Sequence, residues 1–499
     1  MSQINISRLT FAYEGSYDDI FTDVSFNIDT DWKLGFCGRN GRGKTTFLNL
    51  LMGKYEYSGS ITASVDFEYF PFHVDNPGRS MLDVLQGIAP DAPQWQVEKE
   101  LALLAVDESA LQRQFSTLSN GEQTKALLAG LFLRENSFLL IDEPTNHLDM
   151  EGRSAVAGYL NAKTGFILVS HDRAFLDECI DHILSINRAD IEVQRGNFSS
   201  WFHNKQMQDD FELSENEKLK KDIKRLETAA RQSSQWADKV ESTKIGRGTV
   251  ALRKKGHISI DNRAYVGEQS RRMQQRRKNL ERRQNAAIDD KQSLLKNIET
   301  TDELKIHPLA YHASQLLRVE NLSVSYDDRE VFRNVNFTLL RGERLALMGA
   351  NGCGKSSILK LICGEDIQHT GNVAVGSRLA ISYVPQDASY LSGDLSDYAA
   401  SMQIDEPLFK AILRKLDFSR VQFEKDMRDY SAGQKKKVLL ARSLCEHAHV
   451  YIWDEPLNYI DVLSRIQIEN LLLKFQPTMI FVEHDRAFCS NIASKTTEL

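Results

Sequence analysis

The sequence predicts an α/β protein built from two copies of one module in tandem, joined by an antiparallel helical hairpin, a coiled-coil linker. Three observations predict it. Four motifs are written twice in the same order, apolar strand-length runs alternate with segments of helical spacing, and the stretch between the copies has a pattern of its own. GRNGRGKTT (Gly38–Thr46) returns as GANGCGKSS (Gly349–Ser357), and LSNGE (Leu118–Glu122) as YSAGQ (Tyr430–Gln434). LLIDEPTNHLD (Leu139–Asp149) returns as YIWDEPLNYID (Tyr451–Asp461), and ILVSHDRAF (Ile167–Phe175) as IFVEHDRAF (Ile480–Phe488). The offsets between copies are 311 for Lys44/Lys355, 312 for Asp142/Asp454 and 313 for His171/His484, so the module is duplicated. The expected domains are 1–203, a linker over 204–305, and 306–499.

Each module opens on an apolar run entering a glycine-rich turn (WKLGFCG, ERLALMG), followed by helical spacing in TTFLNLLMG and SSILKLICG. Strand, glycine loop and helix in that order form the setting of a phosphate-binding loop. Gly38, Asn40, Gly41 and Gly43, with Gly349, Asn351, Gly352 and Gly354, let backbone N–H groups turn inward around phosphate oxygens. Lys44 and Lys355 reach the β- and γ-phosphates; Thr45 and Ser356, followed by Thr46 and Ser357, stand where a hydroxyl holds Mg²⁺. Both modules are therefore expected to bind ATP and Mg²⁺. The DE pairs end apolar strands. Asp142 and Asp454 are placed as Mg²⁺ ligands, and Glu143 and Glu455 as general bases for the attacking water. The Lys-to-Asp spacing, 98 and 99 residues in the two copies, favours that assignment over solvated turns.

Composition bounds the rest. The 499 residues carry a net charge of −7, with 41% hydrophobic and 26% charged side chains, an ordinary globular balance. No run of apolar residues is long enough for a membrane span, and MSQINISRLTFAY has no signal-peptide pattern. Six cysteines without a C-x-x-C pair point to reduced thiols and a cytoplasmic location.

The P-loop, the signature [LY]S-x-G-[EQ], the DEP motif and the terminal histidine, in this order, resemble ATP-binding-cassette (ABC) nucleotide-binding domains. The resemblance implies head-to-tail pairing of the two cassettes, each ATP lying between one P-loop and the opposite signature. The first site would join Lys44, Asp142, Glu143 and His171 to Ser431 and Gly433. The second would join Lys355, Asp454, Glu455 and His484 to Ser119 and Gly121. His171 and His484 would sense the γ-phosphate. Tyr13 and Tyr326, 31 and 29 residues before the P-loop lysines, match the aromatic that stacks on adenine; by themselves they are equally ordinary strand tyrosines. YVPQ places Gln386 at the glutamine that attends Mg²⁺ and water, whereas YFPF places Phe72 there. Phenylalanine cannot ligate a metal, so the first site is expected to bind ATP and hydrolyse it more slowly.

Between the cassettes, Leu219, Ile223, Leu226, Ala230, Ala237 and Val240 follow a 3/4 spacing, and Met273, Leu280, Ala287 and Leu294 recur every seven residues. Gly246, Gly248 and Gly256 lie between the two series, so the segment is expected to be an antiparallel helical hairpin. From Arg231 to Arg283 there are 15 Lys or Arg against 5 Asp or Glu, a net of +10, which leaves −17 for the rest of the chain. The overall −7 therefore conceals one strongly basic segment. A solvated helix face is the plain alternative. Dense arginine with only Trp236 and Tyr265 as aromatics suits phosphate contact with folded RNA better than single-strand stacking. Lys244, Arg247, Arg253, Lys254, Lys255, His257, Arg271, Arg272, Arg276 and Arg277 are the candidate RNA contacts; Ile258 and Ile260 are apolar candidates at the tip.

Two cassettes, no membrane segment, a basic hairpin between them and GNFSSW (Gly196–Trp201) leading into it resemble the ABC-F translation ATPases. GRNGRGKTT, LSNGEQTK and the long tip are most similar to the antibiotic-resistance members of the Lsa and Vga type. The resemblance implies a monomer on the 70S ribosome, contacting rRNA and tRNA. Its hairpin would enter the tRNA exit site, and its tip, Lys244–Asn262, would act near the peptidyl-transferase centre. Protection from lincosamide, streptogramin A or pleuromutilin drugs follows for a resistance member, and a housekeeping translation role is the alternative. A tandem ATPase subunit of a sugar importer fits less well, having no need of a basic hairpin between cassettes.

Overall fold

The computed structural model describes residues 2–13, 19–39, 41–146, 148–187, 190–246, 304–326 and 329–499. The chain divides into two compact units, one of Met1–Trp201 with Thr301–Leu499 and one of Phe202–Thr300. The first unit contains both modules.

In the first module, β1 (Gln3–Phe11), β2 (Phe21–Asp29) and β4 (Ser58–Thr62) form an antiparallel sheet in the order β2-β1-β4. A second sheet contains β3 (Lys33–Cys37), β5 (Asp66–Phe70), β6 (Ser137–Asp142), β7 (Phe166–Val169), β8 (His182–Asn187) and β9 (Asp190–Arg195). Its order is β5-β6-β7-β3-β8-β9, parallel except for β9. The helices are α1 (Lys44–Leu51), α2 (Met81–Ile88), α3 (Gln94–Leu103), α4 (Asn120–Phe132), α5 (Met150–Asn161) and α6 (Arg173–Cys179).

The second module repeats this plan. An antiparallel sheet holds β10 (Gln315–Tyr326), β11 (Arg329–Leu340) and β13 (His369–Val375). A parallel sheet, β14-β15-β16-β12-β17, uses β12 (Arg344–Met348), β14 (Ile381–Val384), β15 (Val450–Asp454), β16 (Met479–Val482) and β17 (Lys495–Glu498). Between Gly246 and the end of the chain the described helices are α8 (Lys355–Ile362), α9 (Leu395–Ser401), α10 (Glu406–Lys415), α11 (Ala432–Cys445), α12 (Val462–Phe475) and α13 (Arg486–Ile492). Helix α7 (Phe198–Gly246) precedes them; its 49 residues form a rod of about 70 Å at 1.5 Å per residue.

Strands buried on both faces explain the continuous apolar runs. Every residue of VYIWD in β15 is buried, and Phe138–Ile141 in β6 are no more than 1% exposed. Phe36, Phe47 and Phe138 fill the first core between β3, α1 and β6. Because β3 and β12 are followed directly by the P-loops, and β6 and β15 end in the DE pairs, the parallel sheets bring both motifs to the same carboxyl edge.

The first arm of the expected hairpin is α7, and the turn and second arm lie outside the described residues. GNFSSW shapes the start of that arm. Gly196 has φ 132°, and Asn197 caps the helix by accepting from Ser200 N–H at 3.0 Å. Ser199 N–H donates to Asp177 of α6 at 2.8 Å, and Phe198 and Trp201, one turn apart, are buried. Among the described residues no helix is long and apolar enough to cross a membrane.

Candidate ATP sites

The P-loops close on left-handed glycines. Gly43 and Gly354 are the residues before α1 and α8, at φ 97° and 93°. A Cβ at Gly43 would come 2.6 Å from Ile20 Cγ2, and one at Gly354 the same distance from Phe332 Cδ1. Lys44 Nζ donates to Gly38 O (2.6 Å) and Arg39 O (3.2 Å), and Lys355 Nζ to Gly349 O (2.7 Å) and Ala350 O (2.8 Å). Each ammonium is thus held inside its own loop. The hydroxyls of Tyr13 and Tyr326 bond to Thr46 (2.8 Å) and Ser357 (3.1 Å), which fixes two half-exposed rings beside the P-loop helices.

Both catalytic candidates sit in strained backbone. Glu143 and Glu455 have φ 53° and 45°, and their N–H groups donate to Val169 O (2.8 Å) and Val482 O (3.0 Å) on the neighbouring strand. That pinned turn aims each carboxylate at the histidine of its own module. His171 Nε2 lies 3.3 Å from Glu143 Oε1, and His484 Nε2 lies 3.5 Å from Glu455 Oε1.

The modules meet around the second P-loop. A cavity of about 810 Å³ is lined by Lys355, Ser356, Gln386, Glu455, His484 and Tyr326 from the second module and by Ser119, Gly121, Asn146, Asp149 and Arg153 from the first. Ser119 is the N-cap of α4, sharing a capping box with Glu122, so its position is set by the helix start. Asn351, Gly352, Gly354 and Ser357 line the same cavity. The residues named from sequence for this site line it, except Asp454 and Gly349.

The first P-loop borders a smaller cavity. The small cavity beside Gly38, Lys44 and His171 is lined by Phe198 and Trp201 and by Val462 and Leu463 at the start of α12. Ser431 caps α11, and Tyr459 O lies 2.6 Å from where a Cβ on Gly433 would stand. Arg39 of the first P-loop pairs with Asp417 at 2.6 Å, and Arg173 pairs with Glu469. Phe72 lines a separate cleft of about 890 Å³ with Tyr69 and Pro71. Asn40 lies outside the described residues, as do Arg247, Arg253, Lys254, Lys255, His257, Ile258, Ile260, Arg271, Arg272, Arg276 and Arg277. Lys244 falls in the last turn of α7.

The electrostatics diverge too. Burial pushes Glu143 up to about 8, reinforced by Asp142 and only partly opposed by Arg465 and Lys44. Burial acts upward on Glu455 as well, but His484, Gln386 and Lys436 outweigh it and hold this carboxyl at about 2. His171 is driven well below the ordinary imidazole value by burial, then by the charges of Lys44 and Arg465. Asp454 fits a cation ligand: both its carboxylate oxygens are buried without a hydrogen-bond partner among the described residues, and the Ser356 hydroxyl is its neighbour. Asp142 is already engaged, with Tyr69 OH donating to Oδ2 at 2.9 Å and Thr45 Oγ1 at 3.4 Å.

Several site residues carry no sequence signal strong enough to have been named. Asn458 donates to Glu455 Oε2 at 2.6 Å, Tyr69 bonds Asp142, and Asn146, Asp149 and Arg153 reach the opposite site. The last three follow the first DEP motif within ten residues, which is the one cue that could have found them.

The family model described as ABC transporter matches twice, over residues 21–146 and 332–458. The chain belongs to the ABC family. It is an ATPase of that type, and its relatives place it with the ABC-F members. The chain is 27% identical to the ribosome protection protein VmlR of Bacillus subtilis (strain 168), over 97% of this chain and 84% of that protein. It is 24% identical to ABC transporter F family member 2 of Arabidopsis thaliana, over 100% and 76%. Among solved structures, the archaeal ribosome recycling factor aABCE1, in complex with the ribosomal stalk protein aP1, superposes with a TM-score of 0.61 at 18% identity, covering 98% of this chain and 87% of that one. That likeness concerns the fold.

Proposed function

We propose that this ABC-F ATPase acts on the 70S ribosome. In this reading the ATP-bound form docks in the tRNA exit site and its linker tip acts near the peptidyl-transferase centre, protecting the ribosome from lincosamide, streptogramin A or pleuromutilin drugs. The observation that carries it is the pairing of a cavity built from both cassettes with a 49-residue helix leading out of the first. Similarity to a ribosome protection protein over nearly the whole chain supports the same reading. The domains are 1–203, 204–305 and 306–499, and one chain supplies both cassettes of the pair.

In the second site Lys355 and the P-loop amides bind the phosphates, Tyr326 stacks on the base, and Ser119 and Gly121 close from the opposite cassette. Glu455, ionised and held by Asn458, accepts the proton of the attacking water; His484 orients the γ-phosphate. Ser356, Gln386 and Asp454 would hold Mg²⁺, which supplies charge neutralisation for the phosphates. In the first site Lys44, Thr45, Thr46, Asp142, Glu143, His171 and Tyr13 bind ATP and turn it over more slowly. ATP closes the cassettes and so fixes the direction of the hairpin, whose basic side chains contact rRNA; hydrolysis releases it.

Sedimentation of a Glu143→Gln, Glu455→Gln variant with ribosomes tests this. ATP-dependent co-sedimentation that weakens with salt is expected. Absence of co-sedimentation overturns the proposal. Deleting Lys244–Asn262 is expected to abolish drug protection while basal ATPase persists.

A further inference from the structure

The second site contains a buried cation that belongs to none of its motifs. Lys436 lies on α11, five residues beyond the signature serine Ser431, and is 3% exposed. Its Nζ donates to Pro385 O at 2.9 Å and to Asp454 O at 3.2 Å, and the side chain lines the ATP cavity with Gln386 and Glu455. Pro385 immediately precedes Gln386. One ammonium therefore joins three pieces of chain: the signature helix, the loop carrying Gln386 and the strand end carrying Asp454. At the equivalent place in the first module, one offset of 312 earlier, stands the uncharged Thr124. The module with Gln386 has the lysine, and the module with Phe72 does not.

We propose that Lys436 is a positioning residue of the second ATP site, holding Gln386 and Asp454 at the separation that a bound divalent cation and the attacking water need. It acts through these two residues and not on the substrate. Both its bonds are charge-assisted and made to backbone carbonyls, so they fix main chain that carries functional side chains. The Gln386 side chain also acts on Glu455, and the Lys436 ammonium adds a charged link between the backbones of the two segments. The inference rests on the reading that the second site carries most of the turnover, and the test separates the two.

Lys436→Met removes the ammonium and keeps the apolar stem. Loss of a charged, preorganised donor is expected to lower kcat about 10- to 100-fold while KM for ATP changes less than about threefold. Mn²⁺ affinity of the ATP-loaded protein, read by electron paramagnetic resonance, is expected to fall about tenfold for one of two site classes. Lys436→Arg should recover part of both losses, and Lys435→Met, one residue away with its Nζ on Ser389 O at 3.3 Å, should change neither. Unchanged kcat and unchanged Mn²⁺ affinity in folded Lys436→Met overturn the proposal. Weakened Mn²⁺ with unchanged kcat upholds it and instead overturns the second site as the faster one. If Lys436→Met does not fold, Lys436→Gln, whose amide can still donate to one carbonyl, decides by the same two readouts: a kcat and Mn²⁺ affinity equal to those of the parent overturn the proposal.

Discussion

Glu143 and Glu455 occupy equivalent turns, yet burial raises the pKa of the first while neighbouring groups hold that of the second down. The cause is what surrounds them. Glu455 has Asn458 and the influence of His484, Gln386 and Lys436, whereas Glu143 has Asp142 beside it and one buried oxygen without a hydrogen-bond partner among the described residues. Glu455→Gln is therefore expected to cost at least about 100-fold in turnover and Glu143→Gln less than about tenfold, measured by steady-state phosphate release. Equal losses would contradict the asymmetry. The pH dependence has a definite sign. An unfolded glutamate gives up its proton near 4.5 and folded Glu143 near 8, so the folded state holds the extra proton between them. Its contribution to stability falls as pH rises across that window. Glu143→Gln should accordingly lose less melting temperature between pH 6 and pH 9 than the parent, in thermal scans without nucleotide.

At the scale of elements, the signature helices and the linker helix were located by local chemistry. Ser119 and Ser431 start α4 and α11 through capping boxes, and Asn197 starts α7. What the spacing of GNFSSW did not tell is where its aromatic residues go. Phe198 and Trp201 pack with ring centroids 5.5 Å apart, tilted at 51°, and line the cavity beside Lys44 and His171. Trp201→Ala would open a void there and is expected to destabilise the first unit by about 3–5 kcal/mol, seen as a lower denaturation midpoint. A loss below about 1 kcal/mol would mean that the ring is not packed as described.

For the whole molecule, cassette pairing is fixed by contacts between residues hundreds of positions apart. Arg173 and Glu469 are an example: both side chains are largely buried, and the remaining carboxylate oxygen of Glu469 accepts from Asn491 Nδ2 at 2.6 Å. Removing the guanidinium leaves a buried charge half-satisfied, a cost of about 3–5 kcal/mol. Arg173→Ala is thus expected to open the cassettes, raising the radius of gyration in small-angle scattering. An unchanged scattering curve would show that the pair does not hold them.

The sequence by itself determined the duplication, the strand, glycine loop and helix that open each module, and the P-loop, DE and histidine positions. Those features are local, because a glycine that must take φ near 95° or a strand buried on both faces leaves its mark within a few residues. The basic charge of the linker was equally visible, since charge needs no partner to be counted. Only the tertiary structure decided that Ser119 and Gly121 line one cavity with Lys355, and that Phe198, Trp201 and the start of α12 line a small cavity beside Lys44. It also decided that Tyr69 occupies Asp142, and that Lys436 ties Gln386 to Asp454. Each of these is a meeting of residues from separate segments, set by packing between them, and packing partners at that distance leave no periodic trace in a single chain.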